Sequence, residues 1–94
     1  MQEDDPRIKN LEDRLRQWRA KLSELRSKAD AAEAETRIEW RSRIRDLEAK
    51  RDDLEQRIRR YKESGSDAAE ELRTGAEKAA KQLGQALNKA LSRF

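Results

Sequence analysis

Apolar residues recur at alternating steps of three and four along about the first two thirds of the chain. This spacing marks the a and d positions of a heptad repeat, which form the buried seam of a coiled coil. Ala32 extends the first half of the seam, and Arg51 occupies the one position in the second half that lacks an apolar side chain. We expect self-association through the seam residues, which are Ile8, Leu11, Leu15, Trp18, Leu22, Leu25, Ala29, Trp40, Ile44, Leu47, Leu54, Ile58 and Tyr61.

The same pattern predicts one long helix over residues 6–63, preceded by an acidic tail at residues 1–5. Asp5 and Pro6 are typical of a helix start, because an aspartate caps the first amides and proline at the first helical position loses no hydrogen bond. No glycine, and no proline after Pro6, interrupts this stretch. A helix of this length would extend roughly 80 Å.

The phase of the seam changes across residues 29–36. A stutter of four residues explains the change, since it unwinds a coiled coil locally without ending the helix. The Ala- and Glu-rich sequence of this region favours helix and lacks turn residues, so we predict that the helix continues. A hairpin turn at the same place is the alternative.

An antiparallel homodimer satisfies the seam with a specific register. Its pairing places Ile8 opposite Tyr61 and large Trp40 opposite small Ala29, and it brings Trp18 to Arg51 in a cation–π contact. The flanking charges favour a parallel dimer instead, because the antiparallel register brings like charges together. The like-charged pairs are Arg14 with Arg57, Lys21 with Lys50 and Lys28 with Arg43. Exposed pairs contribute at most about 1 kcal/mol each, so the orientation stays open.

A second, shorter helix is predicted at residues 67–94, after a Ser-Gly-Ser turn at residues 64–66. Asp67 and Glu70 have the spacing of a capping box. Gly75 and Gly84 disfavour helix, and they are explained if another helix packs closely against them. We expect this amphipathic helix to pack back on the long helix through Leu72, Ala76, Ala79, Leu83, Leu87 and Ala90.

The composition narrows the classes of function that the chain could have. Charged residues make up 46% of the chain and hydrophobic residues 34%, which together with heptad order is typical of coiled coils. The chain contains no His and no Cys, and so lacks the commonest bases, nucleophiles and metal ligands. We therefore predict no catalytic, cofactor-binding or metal-binding residues and no enzymatic activity. The acidic N-terminus lacks the apolar core of a signal peptide, which predicts a cytoplasmic protein.

Two other partners are weaker candidates. The C-terminal helix could lie on a membrane with Lys78, Lys81, Lys89 and Arg93 on its polar side, although such helices usually carry bulkier anchors than alanine. Nucleic acid is an unlikely partner because acidic residues interrupt the basic run, despite the net charge of +3. The basic positions near Trp18 are Arg14, Arg16, Arg19, Lys21, Arg26 and Lys28.

Four segments carry a resemblance to known proteins. They are Lys21–Ala34, Leu47–Asp52, Ala69–Ala79 and the ending Ala90–Phe94. These segments are similar to a family of small bacterial coiled-coil proteins labelled stress-response or coiled-coil domain-containing. The resemblance implies a soluble bacterial helical protein without known catalytic residues. Two alanines, at positions 69 and 80, stand where the family is associated with tryptophan.

The leading hypothesis is thus an all-α, non-enzymatic scaffold or protective protein, associated with stress, that forms a homodimer through its seam. The first alternative is a peripheral binder whose C-terminal helix detaches to engage a membrane or a partner helix. The lesser alternative is a non-specific nucleic-acid binder.

Overall fold

A computed structural model of the chain describes residues 5–94, and no strand occurs in this part. The helices are α1 (Pro6–Asp30), α2 (Ala34–Glu63) and α3 (Ser66–Ser92). The all-α class is confirmed, but three helices form where the sequence predicted two. Of the predicted acidic tail, residues 1–4 lie outside the described residues.

Helix α1 begins where the sequence predicts. The Asp5 carboxylate accepts a hydrogen bond of 2.9 Å from the backbone N–H of Arg7, and Pro6 is the first helical residue. An aspartate cap followed by proline therefore fixes this end of the helix through purely local interactions.

The predicted continuous helix over residues 6–63 does not form in this structure, because the chain turns back at residues 31–33. Ala31 remains close to helical geometry (φ −83°, ψ −8°), whereas Glu33 is extended (φ −61°, ψ 159°). The turn coincides with the phase change of the seam, so the hairpin alternative forms in place of the stutter. The helix propensity of a few residues contributes little to stability. Folding back, in contrast, lets the two halves of the seam bury each other's apolar side chains.

A second short connection joins α2 to α3 through Ser64 and Gly65. The Ser64 hydroxyl donates a hydrogen bond of 2.7 Å to the carbonyl of Tyr61, and both connecting residues are extended. Gly65 is the N-cap of α3 and no side chain caps this end, so the predicted N-cap role of Asp67 is wrong. Asp67 instead lies in the first turn of α3, where its negative charge interacts favourably with the positive end of the helix dipole.

The three helices pack together into a bundle measuring 50 × 18 × 16 Å, well short of the expected long rod. Each helix contacts both of the others, which confirms that the C-terminal helix packs back on the preceding helical segment. One core of apolar side chains runs along the bundle, and no polar or charged side chain within residues 5–94 is buried in it. The fold thus buries in a single chain the residues expected to join two chains.

Candidate interaction surfaces

The seam lies in the interior of the bundle. Trp18 is half-buried, and every other seam residue is buried by helices of the same chain. Leu25 and Leu54 are completely inaccessible to solvent. In this arrangement the seam is therefore covered without a second copy.

One edge of the α1–α2 hairpin carries a row of three salt bridges. Its rungs are Glu12 with Lys62 (3.0 Å), Arg19 with Glu55 (2.6 Å) and Arg26 with Glu48 (3.4 Å). Successive rungs lie one heptad apart on both helices and run in opposite directions along the chain. The row therefore fixes the antiparallel register of the hairpin, with each exposed pair adding at most about 1 kcal/mol.

The opposite edge of the hairpin is positively charged, and α3 packs there. Lys21 of α1 donates a hydrogen bond of 2.8 Å to the side-chain oxygen of Asn88. On α2, Arg57 lies beside Gly75, with its Nη1 atom 3.2 Å from the position a Cβ would occupy. Arg43 lines a groove together with Ala86 and Ala90. Helix α3 thus separates the like charges that an antiparallel pairing of the two halves would otherwise bring together.

Trp18 packs against the backbone of α3 at Gly84. A Cβ at position 84 would lie 2.5 Å from the Trp18 Cζ2 atom, so only glycine leaves room for the indole. This confirms that Gly84 permits a close approach. The predicted contact between Trp18 and Arg51 is absent: Arg51 pairs with Asp52, and the cation over the indole is Lys21, at 5.5 Å. Arg51 and Asp52 are sequence neighbours, and Lys21 lies one turn from Trp18 on α1, so local pairs replace the distant one.

The predicted docking residues of α3 mostly face the core. Ala76, Leu83, Leu87 and Ala90 are buried, while Leu72 and Ala79 are half-buried against it. Ala80 and Gly84 are also buried, although neither is among the predicted docking residues. The period of the apolar positions contains Ala80, but small residues give a weak hydrophobic signal. Because the apolar face of α3 is covered, contact with a membrane through that face would require α3 to leave the bundle.

The basic run near Trp18 does not form one patch. Arg16 pairs with Asp13, while Arg19 and Arg26 belong to the salt-bridge row. Lys21 points to α3. The cations of this run thus lie on different faces of α1, and three of the six pair with carboxylates.

The end of the bundle opposite the hairpin turn is tied by Tyr61 and Asp5. Tyr61 is a buried residue, and its hydroxyl donates a hydrogen bond of 3.1 Å to the Asp5 carboxylate. Burial, together with this hydrogen bond, raises the pKa of Tyr61 above its ordinary value. The pKa of Asp5 is lowered, chiefly by the backbone N–H and side chain of Arg7 and further by Tyr61.

The hairpin-turn end of the bundle exposes apolar surface. Ile38 is 66% exposed and Phe94 is 43% exposed. The Phe94 ring packs on Trp40 with the ring centroids 4.7 Å apart, and the Arg43 guanidinium lies 4.8 Å from the centroid of the Trp40 ring. The last residue of the chain thereby covers part of the seam at Trp40.

Comparison with known proteins identifies no relative of this chain. No protein-family model, curated protein or solved structure matches the chain. The resemblance to small bacterial coiled-coil proteins therefore stays a prediction. Ala80, which stands where that family is associated with tryptophan, is completely buried here and leaves no space for an indole without repacking.

The structure adds two findings on metals and membranes. Among residues 5–94, no cluster of three or more acidic side chains is arranged to hold a metal ion. Within the same residues, each helix is too short or too polar to cross a lipid bilayer.

Proposed function

We propose that the protein is a non-enzymatic helical scaffold in which two copies exchange the halves of the α1–α2 hairpin. In the resulting homodimer, residues 6–63 of each copy form one continuous helix, and the two copies run antiparallel along their seams. The observation that carries this proposal is the turn at residues 31–33, whose sequence is compatible with helix as well as with a turn.

The turn needs little rearrangement to become helical. It contains neither Gly nor Pro, and no residue in the described part has a positive φ. Ala31 is already close to helical geometry, and Glu33 has a helical φ of −61° and departs only in ψ. Rotation about a few bonds in a solvent-exposed segment would therefore join the two helices.

Exchange of halves between two copies would preserve the contacts that stabilise the hairpin. Glu12 would meet Lys62 of the second copy, and the other two rungs of the salt-bridge row would form in the same way. Domain exchange of this kind yields a dimer at low cost because the exchanged element reuses its own contacts. The pairing predicted from the sequence and the pairing of α1 with α2 in the hairpin both run antiparallel.

The balance between the two forms depends on the hinge. In the closed hairpin, the last carbonyls of α1 and the first amides of α2 lack partners within their helices, and no side chain caps α2. A continuous helix would recover several backbone hydrogen bonds, worth about 1 kcal/mol each. Dimer formation costs translational and rotational freedom, so the proposal requires a concentration-dependent equilibrium.

The proposed role in the cell is that of a structural or protective protein. Support comes from the absence of His and Cys in the sequence and from the resemblance to bacterial proteins labelled as stress-response. A shift of the population between closed monomer and open dimer would let such a scaffold respond to a change in protein concentration.

The hinge can be tested with Ala34→Pro. Proline suits the first position of α2, where the preceding Glu33 is already extended, and this variant copies the Asp5–Pro6 start of α1. In a continuous helix the same proline costs about 3 kcal/mol. Light scattering behind a sizing column should show a dimer of twice the 11.0 kDa chain mass for the wild type at high concentration, and only monomer for the variant.

Cross-linking identifies the type of dimer. The chain has no cysteine, so Arg19→Cys with Glu55→Cys introduces a unique pair for a short bismaleimide. Because these positions form one rung of the row, the link should lie within one chain in the monomer and between chains in the dimer. A wild type that stays monomeric after heating and cooling at high concentration contradicts the proposal. So does a dimer whose links are all within one chain.

A further inference from the structure

A recess lined with arginines lies near the hairpin turn, between the last turns of α1 and the first turns of α2. Its volume is about 200 Å³, and the buried residues Ala29 and Ile44 are at its base. Four arginines surround it: Arg26 from α1, and Arg37, Arg41 and Arg45 from α2. We call this feature the arginine recess.

Three of these arginines form a row along one face of α2. Arg37, Arg41 and Arg45 follow each other at four-residue steps, which spaces them by about 6 Å along the helix axis. None of the three forms a salt bridge or side-chain hydrogen bond with any residue of the described part, in contrast to Arg43 and Arg57 on the same helix. Like charges at this spacing destabilise a helix. The fold therefore keeps an unfavourable row of three cations, none of which forms an ion pair within the described part of the chain.

The recess retains an excess of positive charge after its acidic residues are counted. Asp30 and Glu48 also line it, and Arg26 contacts Glu48 at 3.4 Å. Two carboxylates thus face four guanidinium groups. Each guanidinium presents a planar fork of N–H donors that matches the oxygens of a phosphate group.

We propose that the arginine recess binds the phosphate backbone of a single nucleic-acid strand. A row of equally spaced cations suits a ligand with repeated charges better than one compact anion. The recess has a volume of only about 200 Å³, so a single strand can place its phosphates among the arginines, whereas a duplex or a flat membrane would reach only the rim. This site shares only Arg26 with the basic run near Trp18, and it does not depend on dimer formation.

The recess provides no means of reading sequence. Its lining residues include no aromatic side chain on which a base could stack. Binding therefore rests on phosphate contacts, which are independent of sequence and weaken with salt.

The test is fluorescence anisotropy with a labelled single-stranded oligonucleotide of mixed sequence, measured at several salt concentrations. The variant is Arg37→Gln with Arg41→Gln and Arg45→Gln. Its matched control, Lys78→Gln with Lys81→Gln and Lys89→Gln, removes the same charge from exposed positions of α3. We expect the recess variant to bind at least about tenfold more weakly, with the slope of log K against log salt reduced by about 2, and the control to change little.

Circular dichroism separates loss of binding from loss of fold. The recess variant should melt no lower than the wild type, because it removes like-charge pairs. Equal weakening in both variants would show a diffuse effect of net charge and overturn the assignment. Absence of binding by the wild type at low salt would also overturn it.

Two further probes test the chemistry of the ligand. Polyglutamate of similar length and vesicles of anionic lipid should bind more weakly than the oligonucleotide and should be unaffected by the recess variant. Binding of polyglutamate or vesicles that equals oligonucleotide binding and is lost in the recess variant would overturn the preference for a nucleic-acid strand.

Discussion

The indole of Trp18 occupies the space that a side chain at position 84 would need. A Cβ at Gly84 would lie 2.5 Å from Cζ2 of the indole and 2.9 Å from Cη2. The indole N–H is buried and has no hydrogen-bond partner in the described part of the chain. Packing against the α3 backbone, and not a hydrogen bond, therefore holds Trp18 in place.

Gly84→Ala should destabilise the bundle. Alanine gains about 1 kcal/mol of helix propensity over glycine, but its methyl group would force a large, rigid ring to move. Overpacking of this kind costs about 1–3 kcal/mol, and we expect it to outweigh the gain. Chemical denaturation followed by circular dichroism measures the free energy of unfolding.

Gly75→Ala is the matched substitution in the same helix and should stabilise the protein. The nearest atom to its added Cβ is Nη1 of Arg57, 3.2 Å away at the end of a flexible, exposed side chain. That group can move aside, so the helix-propensity gain of about 0.5–1 kcal/mol remains. If both alanine variants raised the stability, the close approach of Trp18 to Gly84 would not constrain the fold.

Leu83→Ala tests how much α3 contributes to the core. Leu83 is completely buried, and removal of its side chain should lower the free energy of unfolding by about 2–5 kcal/mol. Leu91→Ala, at a half-buried position near the end of α3, serves as the control and should cost less. Similar small losses in both variants would mean that α3 is only loosely attached.

The Tyr61–Asp5 hydrogen bond predicts a dependence of stability on pH at both extremes. The lowered pKa of Asp5 means that its contribution is present above the ordinary value of 3.8 and is lost as the pH falls through the lowered value. The raised pKa of Tyr61 means that its contribution is present below 10.0 and is lost as the pH rises through the raised value.

Tyr61→Phe separates these two effects in thermal melts. The variant should lose the alkaline dependence because it has no phenol to ionise. Most of the acid dependence should remain, since Arg7 is the main cause of the lowered pKa of Asp5. A full alkaline dependence in the Phe variant would show that another group is responsible.

The salt-bridge row should contribute little to the free energy of unfolding, but it should specify which residues of α1 and α2 pair. In a double-mutant cycle, Arg19→Glu should destabilise the protein, and the added Glu55→Arg should restore it. The coupling energy should be under about 1 kcal/mol and should fall with added salt, because both side chains are substantially exposed. A coupling that is insensitive to salt would contradict this interpretation.

The sequence predicted which residues form the core better than it predicted how the chain folds. Period-3.5 spacing identified seam residues such as Leu25 and Leu54, because burial of apolar side chains is what the spacing encodes. It also located the phase change where the chain turns. Whether that point is a stutter or a turn depends on how much apolar surface the whole chain buries. The local sequence at Ala32 and Glu33 has little influence on that choice.

The arginine recess could not be recognised from spacing alone. Arginines at four-residue steps on a charged helix usually pair with nearby carboxylates, as Arg57 does with Asp53. Only the packing of α1 on α2 shows that Arg37, Arg41 and Arg45 remain without acidic partners and face a recess. Ala80 lies on the apolar stripe of α3, but spacing alone does not distinguish it as a buried docking residue, because an alanine gives little hydrophobic signal.

The unequal edges of the α1–α2 hairpin favour one handedness of the bundle. A third helix can pack on either side of a helical hairpin, and the two choices give mirror-related topologies. One side is closed by opposite charges such as Arg19 and Glu55, while the other carries cations such as Lys21 and Arg57. Insertion of α3 on the second side leaves the attractive pairs intact and keeps the repelling ones apart. The exposed charges, which contribute little to stability, thereby favour one of the two topologies over the other.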